Sequence, residues 1–234
     1  MPTPRTRVRR ISDRGHYDVA TIYAILDEGF ICHVGFSIEG QPYVIPTGYG
    51  RDGDRLILHG SVASRMFEHL REGFDACVSV TLIDGLVLAR SQFHSSMNYR
   101  SVVALGRATP IRDEAEKRRA LEVLVDHLAP GRGADSRPAN DQELAATEVL
   151  EFPLDEASAK VRTGPPGDND EDLDLGMWAG VIPLELCTAA PIDAPDLASG
   201  IEAPRYARDY RRGARPPHDS KAPESRHPDS RQFE

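Results

Sequence analysis

No stretch of this sequence stays apolar for the roughly 20 residues that a membrane-spanning helix requires, and the mean hydropathy is -0.43. Met1 to Arg10 is basic, but no apolar segment follows it as a secretion signal demands. The expectation is a soluble, cytoplasmic protein without a membrane partner. Cysteine is scarce: Cys32, Cys77 and Cys187 are odd in number, far apart, and form no C-x-x-C pair. That excludes a disulfide framework, and the two cysteines in apolar runs, Cys32 and Cys77, read as buried thiols of a reducing compartment. There is no G-x-G-x-x-G after a strand, no Walker phosphate loop and no G-x-S-x-G elbow. Nicotinamide-fold, nucleotide-hydrolase and esterase chemistry lose their usual signatures. His33, His59 and His94 match no compact zinc spacing, so no metal is expected, and His33 reads as a hydrogen-bonded core histidine. Positive charge is also short, with 28 Lys and Arg against 37 Asp and Glu, a formal net charge of -9. Ala203 to Glu234 carries +3, which leaves -12 on the remainder. An acidic body repels nucleic-acid phosphates, so no nucleic-acid partner is expected.

What is present suffices for one core. The chain has 234 residues, 40% of them hydrophobic, and one domain is the default at that size. Val19, Ile22, Tyr23, Ile25 and Leu26 recur at helical spacing within Tyr17 to Glu28, and Gly29 reads as a left-handed terminator. Phe30 to Ile38, Gln41 to Tyr49 and Arg55 to His59 read as strands joined by turns at Glu39-Gly40 and 51–54. Pro42 and Pro46 restrict the second of these to an edge or irregular position. Ser61 to Glu72 reads as a short helix with Val62, Met66, Phe67 and Leu70 on one face. Phe74 to Ile83 and Leu86 to Phe93 read as two strands separated by a turn at Asp84-Gly85. Tyr99 to Ile111 follows as a strand with a bulge or close approach at Gly106. Asp113 opens a long helix to Leu128, and Asn140 caps another over Asp141 to Ala146. Thr147 to Pro153 and Ala157 to Arg162 close the set of strands.

Short strands in hairpin succession, with few helices between them, predict a mainly β fold with flanking helices: a small antiparallel barrel. Residues 1–15 read as an N-terminal arm and 16–188 as the domain. Within the domain, 163–175 is an acidic solvated loop. Leu175 to Leu186 should return to the body. The Pro-, Arg- and Asp-rich tail, 189–234, reads as largely disordered.

Three segments carry candidate chemistry. His59-Gly60-Ser61-Val62-Ala63-Ser64-Arg65 lies where a strand yields to a helix. The first turn of a helix offers free N–H groups and partial positive charge to an anion. Ser64 adds a hydroxyl and Arg65 a fork for two phosphate oxygens, while Gly60 permits close approach. The same residues also fit a plain helix start with Ser61 as its cap. In the second segment, Asn98, Tyr99, Arg100 and Ser101 sit in a dense polar and aromatic run before a strong strand. Tyr99 offers a flat ring, and Arg100 can reach a phosphate or an acidic partner. In the third, Tyr43, Val44, Ile45, Pro46 and Thr47 form a proline-interrupted strand. Its unpaired backbone groups suit the polar edge of a flavin and its apolar side chains the flavin faces. An aggregation-resistant edge strand has the same appearance.

Taken in order, these segments resemble the pyridoxamine 5′-phosphate oxidase-like flavin-binding split-barrel family. The similarity is to its branch of flavin-nucleotide-binding and nitroimidazole-resistance proteins. It runs from about Arg9 to Leu186 and includes Lys160-Val161-Arg162 with Gly164-Pro165-Pro166, and Trp178-Ala179-Gly180-Val181-Ile182-Pro183-Leu184. The resemblance implies a six-stranded antiparallel split β-barrel and a homodimer with flavin mononucleotide (FMN) at the interface. By position, Ser64 and Arg65 hold the phosphate and Tyr43 to Thr47 line the ring. His59 and Gly60 flank the ribityl chain, and Ser101 falls where the oxidase proper directs a glutamine toward the flavin. Met66 stands where that oxidase has a basic residue, and its basic C-terminal substrate motif has no counterpart. Oxidation of pyridoxamine phosphate itself is therefore not expected. The implied function is a flavin-dependent oxidoreductase acting on a small molecule. The alternatives are a flavin carrier or redox sensor without turnover, or a split barrel that uses haem or the deazaflavin cofactor F420 in place of FMN. If reduction needs a proton donor, His59, His94 and Tyr99 are of the right type.

Overall fold

The structure, a computed structural model, describes residues 2–211. No helix among them is long and apolar enough to cross a membrane. Ten strands alternate with five helices: β1 (Gly15–His16), α1 (Val19–Glu28), β2 (Ile31–Ile38), β3 (Gln41–Asp52), β4 (Arg55–Ser61), α2 (Arg65–Arg71), β5 (Asp75–Leu88), β6 (Ser96–Arg107), β7 (Thr109–Pro110), α3 (Glu114–Leu128), α4 (Asp141–Ala146), β8 (Thr147–Pro153), β9 (Ala157–Arg162), β10 (Gly180–Pro183) and α5 (Arg205–Arg208). The strands form one antiparallel sheet in the order β1-β9-β6-β5-β2-β3-β4-β8-β7, with β10 added to β5. The expected mainly antiparallel β architecture is present, but the sheet has more than six strands and its ladder does not close. Instead β6 curls onto β8, so that a Cβ at Gly106 would lie 3.0 Å from Pro153 Cγ.

The concave side of the curl holds the larger core. It is built from Leu26 of α1, Val34 of β2, Leu58 of β4, Phe67 of α2, Val78 of β5, Val102 of β6 and Phe152 of β8. A second, smaller core lies between α3 and the back of β4 and β8, from Ile57, Ala120, Leu124 and Val149.

Several local expectations change, each for a visible reason. Gly29 is not a left-handed terminator: its φ is -73°. A Cβ there would lie 2.6 Å from the Tyr49 hydroxyl, whose proton goes to Leu26 O at 2.6 Å. The strand Gln41–Asp52 is internal in the sheet order, yet its prolines are tolerated. Residues 41–48 pair only with β2 and 49–52 only with β4, so Pro42 and Pro46 occupy the one-sided half. The expected turn at Asp84-Gly85 is a bulge within one continuous strand, because β6 pairs on both sides of it. No register shift falls at Gly106, which is a close-approach position. The helix α2 begins at Arg65 rather than Ser61, since β4 stays paired with β8 through Ser61 and leaves Val62 partly exposed. His33 is not a core histidine. Cys32, Val34 and Phe36 take the buried side of β2, and alternation turns His33 outward.

Elsewhere the residues form what their types dictate. Glu39 (φ 50°) and Gly40 (φ 82°) make the tight β2–β3 turn. Asp18 and Asp113 cap α1 and α3 by accepting from Thr21 N and Glu116 N, and Asn140 forms a capping box with Glu143. Cys32 is fully buried, Cys77 half-buried and Cys187 exposed. Within the acidic loop, Asp168 is tied down by Arg90, accepting from its amide at 2.8 Å and its guanidinium at 2.9 Å. The segment returns to the body through β10, although Met177 and Trp178 just before it stay exposed. The expected tail is described only to residue 211. There Tyr210 donates to Leu128 O at 2.6 Å, and residues 212–234 lie outside the described part.

Candidate functional site

The β4–α2 corner is shaped by short-range backbone bonding. Val62 N donates to Ala146 O at 3.2 Å, Ser61 Oγ accepts from Ala63 N at 3.2 Å, and Ser64 N donates to Ser61 O at 3.0 Å. Ser64 then caps α2 in extended conformation, but its hydroxyl makes no capping hydrogen bond. The first-turn amides of a helix have no intrahelical acceptors, so the start of α2 presents donors without a partner among the described residues. Arg65 follows, exposed on the surface. It forms no ion pair with a described residue, and its guanidinium carbon stands 5.4 Å from the centroid of the Tyr43 ring.

A file of rings fixes α2 to the β2–β3 hairpin. Tyr43 stacks on Phe36 at 5.4 Å, Phe36 meets His69 at 5.5 Å, and His69 stacks on Phe74 at 4.3 Å. The buried His69 Nε2 has no hydrogen-bond partner among the described residues. Gly60 is needed here for packing: a Cβ would fall 2.7 Å from Phe67 Cδ2. Met66, in the place of the oxidase's basic residue, is 3% exposed and belongs to the core.

Along β3 the expected ring-binding residues divide by alternation. Tyr43 and Ile45 pack against the main core and Thr47 is half-buried. Val44 and Pro46 face outward, with Pro46 opposite His33 and Val44 opposite Gly35 of β2. His59 and Gly60 point to opposite sides of β4. His59 reaches the surface but is crowded enough by protein that burial lowers its pKa.

The second expected group is not gathered at this corner. Asn98, Tyr99, Arg100 and Ser101 lie on β6, separated from β3 by β5 and β2. Arg100 is committed to acids rather than left for a phosphate. It donates through Nε and Nη2 to both oxygens of Asp84 at 2.9 Å and through Nη2 to Glu28 Oε1 at 2.8 Å. These carboxylates hold its pKa up. The trio borders a cavity of about 840 Å³ whose far wall includes Leu186 and Tyr210. Asn98 is buried, donating to Gly164 O at 3.1 Å and accepting from Arg162 Nη1 at 2.5 Å. Ser101 donates to Lys160 O at 3.3 Å. Arg162, unassigned by the sequence reading, thus enters the site through Asn98. Its presence in the Lys160-Val161-Arg162 run was visible, but its burial was not.

A family model described as pyridoxamine 5′-phosphate oxidase matches residues 18–161. The flavocytochrome Anf3 from Azotobacter vinelandii is 43% identical, with a TM-score of 0.85, over 91% of this chain and 99% of that one. An FAD and heme binding protein from Mycobacterium smegmatis is 40% identical, with a TM-score of 0.80, over 84% and 96%. A candidate 5-nitroimidazole antibiotic resistance protein from Bacteroides thetaiotaomicron is 28% identical, with a TM-score of 0.54, over 63% and 86%. No curated protein matches the chain.

Proposed function

The chain belongs to the pyridoxamine 5′-phosphate oxidase family, and on that premise we propose that it is a flavin-dependent oxidoreductase of the flavocytochrome kind. The carrying observation is Arg65: a surface guanidinium without an acidic partner among the described residues, beside unused donors at the start of α2 and over the Tyr43 ring. The flavin phosphate is held there by Arg65, the Ser64 hydroxyl and the first-turn amides. Ser61 shapes the turn. Tyr43 to Thr47 line the ring, with Val44 and Pro46 as its outward apolar cover, and His59 and Gly60 flank the ribityl chain.

A second copy of the chain supplies Tyr99 and Ser101, which one copy keeps two strands away from β3, while Asn98 and Arg100 stay engaged within their own copy. The outward face of the sheet, with exposed Ile31, Val44 and Val103, is the surface for that copy. The bound flavin supplies the redox chemistry. His59, neutral at pH 7 because burial lowers its pKa, is suited to accept a proton.

Two relatives, 43% and 40% identical, are described as a flavocytochrome and as an FAD and heme binding protein. Haem is therefore proposed beside the flavin rather than in its place, and the flavin is FMN or FAD. The residues suit it. An iron ligand is a neutral imidazole with a free ring nitrogen. His33 stands on the exposed face of β2 opposite Pro46, with no hydrogen bond to a described residue.

The test is the spectrum and mass of what copurifies with the full chain. A flavin band near about 450 nm together with a Soret band supports the reading; a colourless protein that takes up neither group overturns it. Anaerobic NADH and NADPH then separate enzyme from carrier, since a flavin that neither bleaches belongs to a carrier.

A further inference from the structure

Arg162 closes β9 and is only 8% exposed. Buried charges in proteins are normally paired with an opposite charge. Among the described residues Arg162 has none. Its hydrogen bonds go to neutral acceptors, Asn98 Oδ1 at 2.5 Å and Pro165 O at 3.4 Å. A guanidinium has five N–H donors, so most of its donor capacity is unspent. Burial pushes its pKa down, and the positive charge of Arg14 adds to that effect.

The register explains how the cations collect. Tyr99 pairs with Arg162 and Ser101 with Lys160, while Val102 pairs with the buried Ala159 on the core side. Strand alternation therefore puts Arg162 and Lys160 on one face with Tyr99 and Ser101. The turn that ends at Arg14 leads into β1 at the same edge, because Gly15 pairs with Lys160. Neither Arg14 nor Lys160 forms an ion pair with a described residue. The chain has 37 acidic residues for 28 basic ones, so acids are available. Arg100 on the neighbouring strand takes two of them. That none forms an ion pair with Arg14, Lys160 or Arg162 among the described residues is what a site for an external anion requires.

We propose that Arg162, with Arg14 and Lys160, forms a second anion-binding site, which takes a phosphate or carboxylate group. None of its residues belongs to the Arg65 corner of the same chain, which is built from β4 and α2. The site itself stands on the surroundings of Arg162, and only the identity of its occupant rests on the flavin and haem reading. The second phosphate of FAD, the carboxylates of haem and a free anionic substrate share the required chemistry.

The experiment compares the full chain with Arg162→Met and with the double variant Arg14→Gln/Lys160→Gln, which keeps the test open if Arg162→Met does not fold. Inorganic pyrophosphate is the probe, read by the rise in Tm and by calorimetric affinity. The expected result is binding by the parent chain and a loss of roughly tenfold or more in each variant, the scale for charged hydrogen bonds. Paired ligands then locate the source. Selective loss of FAD over FMN identifies the dinucleotide phosphate, and selective loss of haem over its dimethyl ester identifies the haem carboxylates. Loss for pyrophosphate alone identifies a free anion. Equal affinity of parent and variants for pyrophosphate, FAD and haem overturns the site. So does a parent chain that binds no pyrophosphate while both variants hold FAD and haem as it does. If the parent carries neither flavin nor haem but still loses pyrophosphate on substitution, the function reading fails and the anion site stands.

Discussion

The Arg65 guanidinium carbon stands 5.4 Å from the centre of the Tyr43 ring, joining the start of α2 to the strand expected to line a flavin. Arg65→Ala is expected to weaken FMN binding by about 1.5–3 kcal/mol, the range for hydrogen bonds to a charged group. Riboflavin, which lacks the phosphate, should bind parent and variant alike. Unchanged FMN affinity by calorimetry would remove Arg65 from the site.

Gly60 has its reason inside the protein. A side chain there meets the Phe67 ring at 2.7 Å from Cδ2, and overpacking of this kind costs about 1–3 kcal/mol. Gly60→Ala should lower the unfolding free energy measured in urea by that amount, and adding Phe67→Leu should restore part of it. No recovery in the double variant would place the cost elsewhere.

Arg100 is a structural cation. Arg100→Met removes the guanidinium from Asp84, 8% exposed, and from Glu28, and a hydrogen bond to a charged group contributes about 1.5–3 kcal/mol. The variant should lose stability in chemical denaturation. Any of it that folds should bind FMN without the phosphate-specific loss expected of Arg65→Ala.

Burial holds the His59 pKa below the ordinary 6.5. As pH falls, the unfolded chain therefore takes up this proton before the folded one does. The contribution is fully present above about pH 6.5 and is lost as pH drops toward the folded value. Tm should fall on acidification through that window. His59→Gln should flatten this part of the profile, and identical profiles would show that the group does not titrate as stated.

The thiols should report burial directly. The Cys32 thiol is pushed up to about 12 by desolvation, and Cys187 is exposed. A disulfide-exchange reagent should label Cys187 at once in the native protein and Cys32 only on unfolding. Prompt labelling of Cys32 would contradict its packing.

How far the fold was legible depended on the range of the interaction. The strands Thr147–Pro153 and Ala157–Arg162 and the caps Asp113 and Asn140 matched expectation, because periodicity and capping act within a few residues. His33 was misread because an apolar run does not say which parity faces the core. The bulge at Asp84-Gly85 was misread because Asp-Gly favours a turn unless a long partner, here β6, pairs across it. Of the candidate site, the β4–α2 corner was readable as a strand-to-helix junction. The engagement of Arg100 by Glu28, 72 residues away, was not.

Sequence alone determined which segments alternate, which residues cap and turn, and that the chain resembles a flavin-binding family, since these reside in residue types and spacings along the chain. Only tertiary structure decided that Arg65 forms no ion pair with a described residue while Arg100 is neutralised, and that Arg162 is buried without an acidic partner among them. The charge environment of a side chain depends on which distant strands lie next to it, and that neighbourhood exists only once the sheet has curled.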